Sequence, residues 1–311
     1  MHIKRIVPLI FLCFVASFFH LRLPSTAFSQ AWVPEKGEGS VSITYQKLVG
    51  YDHFGFTGSR DRVGTDRAQS VSVEFEYGVT DKLAFNADVI YVASKYNGSF
   101  PEGPLDFDGR YHASFQDAHF QARYNVLKNP LMLTPFVSVT VPTHHYETSG
   151  HSATGRDFYE LLVGVNAGRQ LGPVLPNVYV QGRYSFAILK HFAGLNLNRS
   201  NLDSEVGWVT SRRLTLRLLG SWQRTYGGLR APIDFGGPGT EEFEFHDRAL
   251  RASYFRLGGA ATYSLNRNFD ITVGYDGSVS GLNTLAVDGI AIGLSWRFSR
   301  ESKISKFPDV P

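Results

Sequence analysis

The sequence predicts an all-β fold: a twelve-stranded antiparallel transmembrane (outer-membrane) β-barrel after a cleaved signal peptide. Three features predict it. Apolar and polar residues alternate with a period of two over most of the chain, which is the strand pattern. The alternating segments run to roughly 9–15 residues, longer than the usual 5–6 of soluble sheets and matched to tilted strands that cross a bilayer. The connections alternate short and long, as the two ends of an outer-membrane barrel do.

Composition agrees. The 311 residues are 43% hydrophobic and 19% charged, with 31 Gly on no fixed period, which excludes disorder, collagen and coiled coil. No apolar run of about 20 residues follows the first thirty, so helical spans are excluded.

The first element is a signal peptide over residues 1–29. Met1–Arg5 is basic, Ile6–Phe19 carries no charge, and Ala27 and Ser29 are small residues at a cleavage site, with a second site after Ala31. The single Cys, Cys13, lies inside it, so the mature chain has no disulfide. Lys4, Arg5 and Arg22 leave with it, and 28 basic residues then balance 28 acidic ones, which gives no nucleic-acid footprint. Residues 30–38 are a short periplasmic or lumenal segment that could enter the barrel as a small plug.

Residues 39–298 read as the barrel. Val41, Ile43 and Tyr45 alternate with Ser40, Ser42 and Thr44; Val71, Val73 and Phe75 with Ser72, Glu74 and Glu76. Leu83, Phe85, Ala87 and Val89 alternate with Asn86 and Asp88; Ala118, Phe120 and Ala122 with Asp117, His119, Gln121 and Arg123. Eight further strands fall at 131–142, 157–169, 177–188, 202–210, 213–226, 250–264, 269–279 and 287–298. Short turns such as Gly78–Lys82 and Leu265–Asn268 alternate with long loops such as Val49–Arg67, Thr143–Arg156 and Gly227–Ala249; the last connection, Ser280–Ala286, is shorter. An even count places both termini on the periplasmic side. Tyr45, Tyr91, Tyr124, Tyr184, Trp208, Tyr263, Tyr275 and Trp296 sit on the apolar face, mostly near strand ends, as two interfacial girdles would. A soluble sandwich with a core of aromatics is the competing reading. Gly293, Trp296 and Phe298 fit the C-terminal signal read by the barrel-assembly machinery, although the polar tail 299–311 follows where the chain usually ends.

Spanning strands must close, because hydrocarbon offers no partner to a backbone edge. Twelve strands give an intermediate bore. The polar set then faces the lumen. Its pathway candidates are the acids Glu74, Glu76, Asp88, Asp117 and Glu160, with His119, and the bases Arg123, Arg183, Arg217, Arg256 and Arg297. Acids gather early and bases late, with Asp270 and Asp276 as exceptions, so one reading is a pathway between an acidic and a basic wall. The other is that they pair and brace the interior.

From Ala113 to Phe298 the chain resembles the family of outer-membrane transport proteins first noted in meta-pathway phenol-degradation operons. The resemblance rests on the strand Phe115–Tyr124, on Val137–Thr143 entering a Gly-rich loop, and on Gly281-Leu282-Asn283-Thr284. It implies a barrel that moves small, apolar or aromatic compounds, and it carries over no catalytic residues.

The expected function is passive passage of small molecules, with no enzyme activity, no cofactor and no metal. Expected partners are outer-membrane lipid and lipopolysaccharide, the barrel-assembly machinery and the permeant; the expected location is the outer membrane of a Gram-negative cell. The alternatives are a barrel enzyme acting on lipid and a loop-based receptor or structural barrel. His144, His145, His151 and Ser152 tempt the hydrolase reading, and the three histidines a metal site. Both are weak, because the loop is Gly-rich and adjacent side chains on extended chain point apart. Glycines Gly164, Gly168, Gly182, Gly258 and Gly259 are candidate weak points for a lateral opening.

Overall fold

The computed structural model describes residues 30–62, 64–98, 104–189, 191, 192, 194–230, 234, 240 and 246–299. The expected signal peptide, the tail beyond Ser299, and the loop residues Phe235–Gly239, Glu241, Glu242 and Glu244 lie outside them.

Twelve long strands form one closed antiparallel sheet. They are β1 (Glu38–Phe54), β2 (Gly64–Gly78), β3 (Leu83–Gly98), β4 (His112–Tyr124), β5 (Met132–Pro142) and β6 (Glu160–Gln170). The second half is β7 (Val178–Leu189), β8 (Arg199–Val209), β9 (Leu214–Thr225), β10 (Ser253–Ser264), β11 (Phe269–Leu282) and β12 (Thr284–Ser299). A two-residue strand, Arg60–Asp61, pairs with the end of β1. Each strand pairs with its neighbours in sequence, and β12 returns to β1 from Glu38↔Ser299 to Phe54↔Thr284. That closure excludes the sandwich.

Burial is inverted relative to a water-soluble protein. Ile43, Val73, Phe120, Val139, Leu216, Val273 and Ile292 are exposed on the outer face. Ser42, Gln121, Arg123, Asn166, Arg217, Gln223 and Asp270 are buried inside. Hydrocarbon outside and polar groups inside are what a barrel in lipid requires. Tyr124, Trp208, Tyr263 and Trp296 stand exposed near the short-turn end, and Tyr91, Tyr184 and Tyr275 are exposed near the middle of their strands. Phe298 lies across β1 onto Phe75, with ring centroids 6.2 Å apart. Gly39 makes room for it: a Cβ there would come within 2.6 Å of the Phe298 ring.

Strands extend further at the loop end than alternation alone shows. β1 continues to Phe54 and β2 begins at Gly64, so much of the expected loop 49–67 is paired. The expected loop 280–286 shrinks to Asn283, whose φ of 47° makes the reversal. In this stretch polar residues continue a ladder above the apolar band, which hydrophobic alternation does not register.

Candidate functional site

The eleven pathway candidates stand on the inward set of their strands, and most are paired. Arg123 on β4 is in close contact with Glu76 on β2, and both are buried. Arg199 on β8 grips both oxygens of Glu160 at 2.7 and 2.6 Å. Arg217 faces Glu205 at 3.8 Å, Arg256 contacts Asp276, and Arg297 reaches Asp270 at 3.1 Å. His119 donates from Nδ1 to Asp88 Oδ2 at 2.7 Å. Asn86 donates to Glu74 at 3.4 Å, and Asp117 accepts from Tyr146 Oη at 2.7 Å.

This geometry is that of charges that brace the interior. The late bases Arg217, Arg256 and Arg297 have acids on adjoining strands, as charges withdrawn from bulk water require. Glu205 and Asp203 were missed as lumen acids; their places in an alternating strand were the available signal.

The segment before β1 enters the lumen. Gln30 accepts from Arg123 Nη1 through its carbonyl at 3.0 Å, and from Arg183 through its side chain. The Ala31 N–H donates to Gln181 Oε1 at 3.3 Å, and the Ala31 carbonyl accepts from Thr134 Oγ1 at 2.7 Å. Trp32 meets the Tyr179 ring edge to face at 5.8 Å. The wall is shaped for it at Gly168, where a Cβ would lie 2.6 Å from Ala31 Cβ and 2.8 Å from the Trp32 ring. Lys36 and Gly37 then bond to Asp81 and Gly78, turning the chain into β1.

The other end is covered by the loop between β5 and β6. Gln116 donates to the Thr154 carbonyl at 2.6 Å. Asp106, from the β3–β4 loop, accepts from the N–H groups of His151 and Ser152 at 2.9 and 2.7 Å. Tyr146 joins Asp117 on β4 to the Asp157 N–H, which donates to it at 2.9 Å. Burial and the bond to Asp117 push the Tyr146 phenol above its usual range. A small apolar cluster, Phe158, Ala187, Leu189 and Leu197, lies beside it. Arg248, on the short helix His246–Ala249, sits over the Phe158 and Phe192 rings at 4.7 and 4.5 Å.

Between these ends lie two cavities, each of about 380 Å³, which share Gln30, Arg183, Asp203 and Ser221. The first is lined by Glu74, Asp88, His119, Glu160 and Arg183 among the candidates, the second by Arg183, Arg217 and Arg256. Glu76, Asp117, Arg123 and Arg297 line neither. Small residues make the second cavity: Gly258, Ala260, Gly274, Ala291 and Gly293 leave the wall bare. Reading only for polar side chains missed this. Gly293 thus faces inward, while Trp296 is exposed outward.

The three loop histidines are not gathered. His144 bonds Ser114 and Thr143, His145 bonds Asp157, and His151 lies against Tyr96 and His53. The Ser152 hydroxyl is buried with no hydrogen-bond partner, so no histidine activates it as a nucleophile. The five glycines named as weak points are paired on both sides, for example Gly164↔Ser185 and Gly259↔Leu218. The short ladder lies elsewhere: β4 meets β5 only from Asp117↔Pro142 to Arg123↔Phe136.

No family model matches the chain, and no curated protein matches it. Among solved structures, the chain is similar to an outer membrane channel from Pseudomonas putida F1, with 11% identity and a TM-score of 0.68, over 88% of this chain and all of that one. It overlays less well on the KdgM porin in complex with disordered oligogalacturonate, with 8% identity and a TM-score of 0.46 over 83% and 99% of the two chains. The translocator domain of the autotransporter NalP from Neisseria meningitidis gives 11% identity and 0.47 over 85% and 90%. The Pseudomonas likeness shows a shared fold: a closed twelve-stranded barrel of the outer-membrane type.

Proposed function

We propose that this chain is a channel of the Gram-negative outer membrane for passive passage of small molecules. The observation that carries the reading is the polar, cavity-bearing lumen inside an apolar-faced closed barrel, held partly shut by residues 30–37 and by the β5–β6 loop. Neutral or polar solutes of modest size fit such a route. The finer reading, small apolar or aromatic cargo, is supported by the sequence resemblance and by the short β4–β5 ladder, beside which such cargo could leave sideways.

In this reading Gly293, Trp296 and Phe298 address the chain to the barrel-assembly machinery, and the outer face meets lipid and lipopolysaccharide. The test is swelling of liposomes containing the refolded protein in sugars and amino acids of graded size. Swelling that falls with solute size supports a passive channel. Liposomes no more permeable than empty ones, with the protein shown to be inserted, overturn it.

A further inference from the structure

At the loop end, outside the braced charges of the lumen, three side chains from distant parts of the chain converge. His53 is the last residue but one of β1, Asp66 the third of β2, and His151 hangs from the β5–β6 loop. One ligand atom from each lies within 4.8 Å of the other two. His53 Nε2 stands 3.6 Å from Asp66 Oδ2, and His151 Nδ1 stands 3.8 Å from Asp66 Oδ1. The Asp66 and His151 side chains are over nine-tenths buried, and that of His53 is 30% exposed.

We propose that His53, Asp66 and His151 form a site for a divalent first-row cation of the zinc class, which fastens the β5–β6 loop to the barrel wall. Two imidazoles and a carboxylate are a borderline donor set suited to Zn²⁺ and its neighbours. Metal–ligand bonds of about 2.0–2.2 Å put tetrahedral donors roughly 3.3–3.5 Å apart, so donors that lie within 4.8 Å of one another would draw together on a bound ion. His53 Nε2 and Asp66 Oδ2 are buried and make no hydrogen bond, although they face each other. Buried polar atoms ordinarily find partners, and a cation would serve both.

The surroundings hold the donors in place. The Tyr96 ring stacks on His151 at 4.3 Å, and His53 meets His151 edge to face at 5.2 Å. Asp106 grips the backbone of His151 and Ser152, which sets where the imidazole hangs. The competing account is a metal-free cluster in which His53 and Asp66 pair directly.

The test uses the full mature protein, refolded without a polyhistidine tag and checked for heat-modifiability. It is titrated with Zn²⁺ by calorimetry and with Co²⁺ by visible absorption. The proposal expects one saturable site, with cobalt bands of low coordination number. Asp66→Asn and His53→Gln should each weaken Zn²⁺ binding by about tenfold or more, as loss of a ligand does at least as strongly as loss of its support. His145→Ala, whose side chain is 93% exposed, should bind as wild type does. Absence of saturable binding by the folded wild type overturns the proposal, as does equal binding by wild type and the two ligand variants. Two substitutions keep the test open if one variant fails to fold.

Discussion

The two ends of the lumen are closed in different ways. At the turn end, a stretch of main chain lies in the bore, and the wall offers side chains to its backbone: Arg123 and Thr134 donate to the carbonyls of Gln30 and Ala31. At the loop end, the covering loop is pinned by separate side chains of its own and of its neighbours, chiefly Asp106, Gln116 and Tyr146. The plug is held along its backbone and by the Gln30 and Trp32 side chains, so it depends on the wall's shape and charge. The bonds to the loop are spread from Tyr146 to Asp157 and come from separate elements, so it can be loosened one contact at a time. Substitutions should therefore act globally at the turn end and locally at the loop end.

The largest expected effect is at Arg123. Arg123→Ala would strand the buried Glu76 carboxylate and remove the donor to Gln30, a loss of about 3–5 kcal/mol if Glu76 stays charged. Urea unfolding of the refolded barrel measures it. Next comes Gly168→Leu, which forces bulk into the space of Ala31 and Trp32. Overpacking of that kind costs about 1–3 kcal/mol, and here the plug can leave instead. The expected outcome is an intact heat-modifiable barrel with larger single-channel currents. Thr134→Val removes one hydrogen bond to the plug and should cost about 1 kcal/mol, with more frequent openings and the same full conductance.

The smallest global effect should be at the loop end. Tyr146→Phe removes the hydroxyl that links Asp117 to the Asp157 amide, a loss of about 1.5–3 kcal/mol that stays confined to the loop and leaves the barrel's global stability least changed. The phenol also gives this end a pH dependence. Its folded-state pKa is raised, so its contribution is complete below about pH 10, the unfolded range, and is lost as pH climbs through the folded value. Subtilisin should cut the 143–159 loop faster at pH 11 than at pH 8 in wild type. In Tyr146→Phe cleavage should be fast at both, beyond the protease's own pH dependence. Equal effects of Thr134→Val and Tyr146→Phe on channel opening would break the contrast between the ends.

Much of the barrel could be read from the sequence because lipid imposes a period-two code. Ile43 and Ser42, or Phe120 and Gln121, must face opposite ways for a single strand to meet hydrocarbon and water. The charged lumen residues were legible for the same reason. Their partners were not: Arg199 and Glu160 stand on strands two apart, and only the closed curvature brings them together. The plug left no periodic signal, since Ala31 and the Gln30 carbonyl bind by backbone groups that every residue carries, and the side-chain contacts of Gln30 and Trp32 do not repeat. Nor did the His53–Asp66–His151 cluster, where histidines adjacent in sequence were the misleading lead.

In this reading residues 30–36 are the main obstruction of the polar bore, which the β5–β6 loop covers only in part. Single-channel recording in a planar bilayer tests this most directly, comparing wild type with a chain lacking 30–36, both shown to be folded. The account predicts small or brief steps from wild type and steady, larger steps from the deletion. Indistinguishable conductance from the two proteins would contradict it.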